Sequence, residues 1–217
     1  MKILESIAAV LQQWYGLPPT PIAPFLISAS DFSAHCAAQP SVHPASRETL
    51  LITPCPDDTI EIGLYIAPEI VAHLDADNPA AQLHDGNLDD ACVAIEGVSH
   101  WLCACAKIEN DVPCSLLELE LQAEIDKYLV CTDWLRRQGQ SARHLLARLF
   151  EHYALHGGMS APDAERYHAA SHFAERFCLV AEHQFQRRHR IPHLIDHARH
   201  FFHLSHWQKL RRLAQPT

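Results

Sequence analysis

The sequence predicts a mostly helical α+β fold: a helical bundle around a central helical hairpin, about residues 88–135, with one short antiparallel β-hairpin at about residues 49–66. Three observations lead there. Residues 88–107 and 114–135 are long helical patterns, joined by a short turn that contains Pro113. One stretch alone, ETLLIT followed by PCPDD and TIEIGLYI, has the β-rich, near-alternating pattern of a hairpin. The other periodic segments repeat at helical spacing.

A chain of 217 residues is long enough to bury one good core, and it is read as a single domain. Residues 1–46 form an N-terminal helix with a Pro-rich connector or arm, and residues 47–213 form the core. Hydrophobic content of 48% and charged content of 20% are those of an ordinary soluble protein. A net charge of −9 argues against nucleic-acid binding through a general basic field. Eight Cys residues with no Cys-x-x-Cys pair fit reduced thiols in a cytoplasmic protein. The N-terminal segment lacks the form of a secretory signal, and no run of about 18 apolar residues predicts a membrane span. Seventeen His residues are the outlying feature of the composition, and twelve of them lie between His144 and His206.

Residues 2–15 place Ile3, Ile7, Val10, Leu11 and Trp14 on one face of a helix that Gly16 stops. Residues 17–24 hold four prolines and form a stiff connector. Residues 25–28 are expected as a short strand, and residues 29–46 as a loop or partly helical arm. The β-hairpin turns at residues 54–58. Pro68 opens a helix through Leu74, and residues 75–87 form an acidic loop.

The first helix of the central hairpin carries one narrow polar stripe. At about 100° per residue, Asp89, Glu96, His100 and Lys107 fall within about 40° of one another. The second helix has two stripes, Glu120/Glu124/Lys127 and Glu118/Gln122/Asp126. One is expected to meet water and the other to face inward. If Glu120 and Glu124 turn toward Glu96 and His100, three carboxylates and an imidazole meet, an arrangement that needs a cation or protons to neutralise it. Facing bundle helices build di-metal sites from these residue types, though with a Glu-x-x-His spacing that Glu96 and His100 lack.

Residues 141–156 form a further helix stopped at Gly157-Gly158, and Ser160 is expected to cap the next one. In the helix 162–188, Tyr167, Ala170, Phe173, Ala174, Phe177 and Ala181 face inward. His168 and His172 share the opposite face at the i, i+4 spacing of two metal ligands. A last helix, 192–213, carries His193, His197 and His200 in a row among Arg and Lys residues.

Phosphate-binding Gly-rich loops and a Gly-x-Ser-x-Gly elbow are absent from the sequence. Three functional expectations follow. The first is a helix-rich interaction or regulatory module without catalytic activity, whose basic C-terminal helices dock an acidic protein partner or the chain's own acidic middle. The second is a metal-dependent hydrolase with Glu96, His100, His168 and His172 as ligands to zinc, manganese or iron. In it Glu124 or Glu120 is the general base and Lys127 the charge stabiliser. The third is a metal or pH sensor built on the C-terminal histidines.

Overall fold

Two long helices run antiparallel through the middle of the molecule, α4 (Leu88–Glu109) and α5 (Leu116–Arg137). They pack on each other along their length. The computed structural model describes residues 1–39, 43–150, 161–188 and 191–214. Ser115 starts α5 as its cap, its Oγ accepting the Glu118 backbone N–H at 3.1 Å.

Against one side of α4 lie α1 (Lys2–Tyr15), α3 (Pro68–Ala76) and a two-stranded sheet. In α1, Ile3, Ile7 and Leu11 are buried as the periodicity predicts, and Gly16 ends the helix in the left-handed conformation at φ 68°. The helix packs on α4, so it belongs to the core. A short 3-10 turn over Ala23–Phe25 replaces the expected strand at 25–28, where Leu26 makes only an isolated parallel bridge to Leu64. Ile27 N–H donates to the Leu64 carbonyl at 3.0 Å, but Ser28 then caps the helix that starts at Ala29, so the pairing goes no further. Within the expected arm, α2 (Ala29–Ala38) is capped by Ser28 and anchored by Phe32, whose ring stacks on Tyr65 at 3.9 Å.

Strands β1 (Glu48–Pro54) and β2 (Ile60–Ile66) pair antiparallel, with Glu48 opposite Ile66 and Pro54 opposite Ile60. The tip is exposed, and the base is pressed against α4. Gly97 permits the approach. A Cβ there would stand 3.2 Å from Ile66 Cδ1 and 3.3 Å from Glu48 Oε2.

The other side of α5 meets α6 (Leu145–Phe150) and α7 (Ala161–Arg188). The expected stop at Gly157-Gly158 and the cap at Ser160 lie outside the described residues. The predicted last helix is two, α8 (Ile191–Phe202) and α9 (His206–Ala214). Ser205 and Gln208 account for the break. The Gln208 side chain accepts the Ser205 backbone N–H at 2.9 Å, while Ser205 Oγ accepts the Gln208 N–H at 3.4 Å, a reciprocal cap.

Buried apolar side chains from Ile3 to Leu213 form one connected cluster. Full burial of a large aliphatic such as Ile7 or Ile95 contributes roughly 1.5–3 kcal/mol. Among the described helices α4 alone is long and apolar enough to cross a membrane, contrary to the sequence expectation. Its apolar window is 67% buried inside the protein, so packing within the core accounts for that composition.

Candidate metal centre

Both polar stripes of α5 are enclosed, with Glu124 half-buried at their edge, so the expectation that one meets water is corrected. Glu118, Gln122 and Asp126 are each at most 1% exposed, and Glu120 and Lys127 at most 9%. Enclosure between α4 and α7 removes both from solvent. Each stripe then needs its own partners, because a buried charge without one costs several kcal/mol.

The Glu118/Gln122/Asp126 stripe is served from three directions. Asp126 accepts hydrogen bonds from Tyr15 of α1, from Ser99 of α4 at 2.6 Å and from Gln122 at 3.0 Å. Burial nevertheless pushes its pKa up to about 6, against those three hydrogen bonds. Glu118 receives Lys107 of α4 at 2.8 Å and Lys209 of α9 at 2.9 Å, both on Oε1.

The Glu120/Glu124/Lys127 stripe turns toward Glu96 and His100. His100 stands between two carboxylates, Nδ1 3.6 Å from Glu48 Oε1 and Nε2 3.5 Å from Glu120 Oε2. Lys127 joins the other two, reaching Glu96 at 3.0 Å and Glu124 at 2.6 Å. Tyr167 comes in from α7 near Glu120, Glu96 and Glu48, and burial with these carboxylates raises its pKa. Four elements, β1, α4, α5 and α7, thus meet at one place.

Within this set of side chains, the four carboxyl groups of Glu48, Glu96, Glu120 and Glu124 surround one lysine and one imidazole. The titration shifts follow from burial and from these neighbours. Burial lowers the pKa of His100, but Glu48 and Glu120 outweigh it and hold the imidazole well above its usual range. Burial raises Glu48, offset in part by His100. Burial likewise raises Glu124 despite Lys127 beside it. For Lys127, the attraction of Glu96 and Glu124 overcomes the cost of burial and raises its pKa.

Ligand atoms of Glu48, Glu96 and His100 all lie within 4.8 Å of one another. Two buried polar atoms at this place, Glu48 Oε2 and His100 Nε2, have no hydrogen-bond partner among the described residues. Donors on one ion at about 2.1 Å sit some 3–4 Å apart, so an ion would draw the three together by roughly 1 Å. Carboxylate oxygens with one imidazole suit manganese, iron or zinc.

The sequence-level candidates divide as follows. Glu96, His100, Glu120, Glu124 and Lys127 come together. His168 and His172 are exposed on α7 and lie outside the converging group, while Tyr167 of the same helix reaches it. His193 and His200 are exposed, and His197 packs against Phe177 with ring centroids 5.0 Å apart. Burial, with Arg212 and His200 nearby, lowers the His197 pKa to about 4. Glu48 is the residue that sequence reasoning missed. Its signal was a carboxylate at the start of a strand, which reads as surface until the strand's base is known to press on α4.

No protein-family model, curated protein or solved structure matches the chain.

Proposed function

We propose that this protein binds one divalent transition-metal ion, with Glu48, Glu96 and His100 as ligands and Glu120 supporting them through His100. The observation that carries this is the convergence of one ligand atom each from Glu48, Glu96 and His100 within 4.8 Å, where Glu48 Oε2 is buried and without a hydrogen-bond partner among the described residues. A divalent cation there would be held by carboxylates and would favour their ionised form. Manganese, iron and zinc fit the donor set. Glu120, 3.5 Å from His100 Nε2, is the carboxylate beside the centre and the candidate general base for hydrolysis by a metal-activated water. Lys127 holds Glu96 and Glu124 apart from that role.

Docking of an acidic partner by the basic C-terminal helices has less support. Lys209 is buried on Glu118, and Arg199 donates to the Trp14 and Gln13 carbonyls at 2.6 and 3.2 Å. These cations serve the chain's own structure.

Elemental analysis of untagged protein, purified without metal-affinity resin, tests the reading. One equivalent of metal is expected in the wild type and in a His193→Ala/His197→Ala/His200→Ala variant. It is expected to be lost in Glu48→Gln and in Glu96→Ala/His100→Ala while circular dichroism shows the fold retained. No metal in the wild type after incubation with manganese, iron and zinc, or equal metal in all variants, overturns it.

A further inference from the structure

Two of the three proposed ligands are placed by one helix. Glu96 and His100 stand four residues apart on α4, so about one turn of that helix sets their spacing. Glu48 comes from a different element, at the start of β1. Its own carboxylate does little to hold it there. Oε1 lies 3.6 Å from His100 Nδ1, and Oε2 has no hydrogen-bond partner among the described residues. The place of Glu48 is therefore set by its backbone and by the residue ahead of it.

That residue, Arg47, is fixed at both ends. Its carbonyl accepts the Ala67 N–H at 2.8 Å, one pair beyond Glu48 and Ile66 in the hairpin register. Its guanidinium crosses to the first turn of α4, where Nη1 donates to Asp89 Oδ2 at 2.6 Å and Nη2 donates to Asp90 Oδ1. Asp90 is held in turn from a third element, since its Oδ2 lies 2.6 Å from His73 Nδ1 of α3. The Asp89 side chain is 82% exposed and that of Asp90 22%, so the pairing with Asp90 is the better shielded from solvent and salt. A planar guanidinium with two donors on two carboxylates fixes direction as well as distance. Gly97 leaves room for the base of the strand to approach α4, and Arg47 supplies an attraction that keeps it there.

We propose that Arg47 is a positioning residue for the metal centre: its clasp on Asp89 and Asp90 fixes the base of β1 so that Glu48 reaches the ion held by Glu96 and His100. The inference rests on the metal-binding reading above and gives Arg47 no contact with the ion. Partners outside the ligand set that orient a ligand in this way govern metal affinity without touching the metal.

Charge and position act in opposite directions here, which gives the role a sign. Removing the guanidinium leaves Asp89 and Asp90 with one cation fewer, and the added negative potential by itself favours a metal ion. Releasing Glu48 weakens the centre. A role through charge alone thus predicts tighter binding in Arg47→Met, and a role through position predicts weaker binding. Asp89 and Asp90 lie in the first turn of α4, where the helix dipole favours carboxylates, so the helix keeps its start without Arg47.

The test is manganese titration of the untagged, metal-stripped full chain, read by loss of the free-ion paramagnetic resonance signal, beside urea midpoints of the metal-free protein. The wild type is expected to bind one equivalent. Arg47→Met is expected to bind it about tenfold more weakly. Arg47→Lys, which keeps the charge but not the fork, is expected to fall between the two. Echo modulation from the His100 nitrogen is expected on the bound manganese of all three proteins, which locates the loss at Glu48 and not on α4. Arg148→Met, which removes a surface ion pair with Asp85, is expected to leave the affinity unchanged. A wild type that binds no manganese sinks the metal-binding reading and this inference with it. A wild type that binds one equivalent, beside an Arg47→Met that binds as tightly or more tightly, overturns the positioning role alone. A lower urea midpoint in that variant then marks Arg47 as a structural clasp only. Loss of the nitrogen modulation in Arg47→Met also counts against the proposal, because the damage then extends to His100. Should Arg47→Met fail to fold, Arg47→Lys decides, and an affinity equal to wild type refutes the role.

Discussion

His100 Nε2 lies 3.5 Å from Glu120 Oε2, which makes an imidazole the bridge between the two central helices at a point closed to bulk water. The ring's other nitrogen faces Glu48, so one side chain separates two buried carboxylates. His100→Ala removes their shared cation. In metal-free protein this is expected to cost about 3–5 kcal/mol, the range for leaving a buried charge unpaired. Urea midpoints measure it. A cost below about 1 kcal/mol would show that protons already neutralise Glu48 and Glu120.

Lys127 competes with any metal for Glu96. Lys127→Met is expected to lower stability in the absence of metal by a similar amount, since Glu96 and Glu124 then face each other without the ammonium between them. Saturating manganese is expected to narrow the gap to wild type, because Glu96 is released to the ion. Thermal midpoints with and without manganese check this. A gap that manganese leaves unchanged separates Glu96 from the cation site.

Gly97 sits where β1 and β2 press on α4. An added methyl meets Ile66 Cδ1 at 3.2 Å and Glu48 Oε2 at 3.3 Å. Alanine also improves helix propensity by about 1 kcal/mol, which offsets part of the crowding. Gly97→Ala is therefore expected to change stability by less than about 1 kcal/mol while weakening manganese binding several-fold. Calorimetric titration beside a denaturation curve distinguishes the two effects. Unchanged affinity would mean that the Glu48 carboxylate is not confined by this contact.

The Lys107–Glu118–Lys209 triad predicts an order of damage. Glu118→Gln leaves two buried ammonium groups against a neutral amide, and about 3–5 kcal/mol is expected to be lost. Lys209→Met leaves one lysine on one carboxylate. It keeps an apolar stem against Phe201 and Phe202, whose ring centroids lie 5.5 and 5.7 Å from the Lys209 ammonium. Its cost is expected to be much smaller. Equal losses in urea denaturation would contradict the charge count.

Asp126 makes stability depend on pH with a definite sign. Its pKa rises to about 6 in the fold, above its unfolded value of about 3.9. The folded state binds the proton more tightly, so this contribution is fully present below about pH 4 and is lost as pH rises through about 6. Relative to Asp126→Asn, the wild type is expected to gain stability as pH falls from about 7 to about 4, by at most about 3 kcal/mol. Denaturation midpoints of both proteins across that window test it. Parallel curves would place the titration elsewhere.

Much of the fold was legible in the sequence because its periodicities are local. The helical hairpin, the β-hairpin and α1 follow from apolar spacing, Pro68 and Gly16. The break between α8 and α9 was also legible in Ser205 and Gln208, as a capping pair three residues apart, but the His and Arg rows that continue across it masked the signal. Half of the candidate centre was legible too. The stripe Glu96/His100 and the stripe Glu120/Glu124/Lys127 were each visible, since residues three and four apart share a helical face.

What the sequence determined by itself is which side chains share a face: the stripes of α4 and α5, the apolar side of α1, the alternation of β2. What only the tertiary structure decided is what each face meets. Glu48 joins Glu96 and His100 because Gly97 lets the base of the hairpin close on α4. Tyr167 rather than His168 or His172 reaches the cluster because α7 turns its apolar side to α5. Lys209 leaves the basic C-terminal surface for Glu118 because α9 folds back toward the start of α5. Each of these pairs residues far apart in the chain. Their attraction is a property of burial and distance, which spacing along the sequence does not encode.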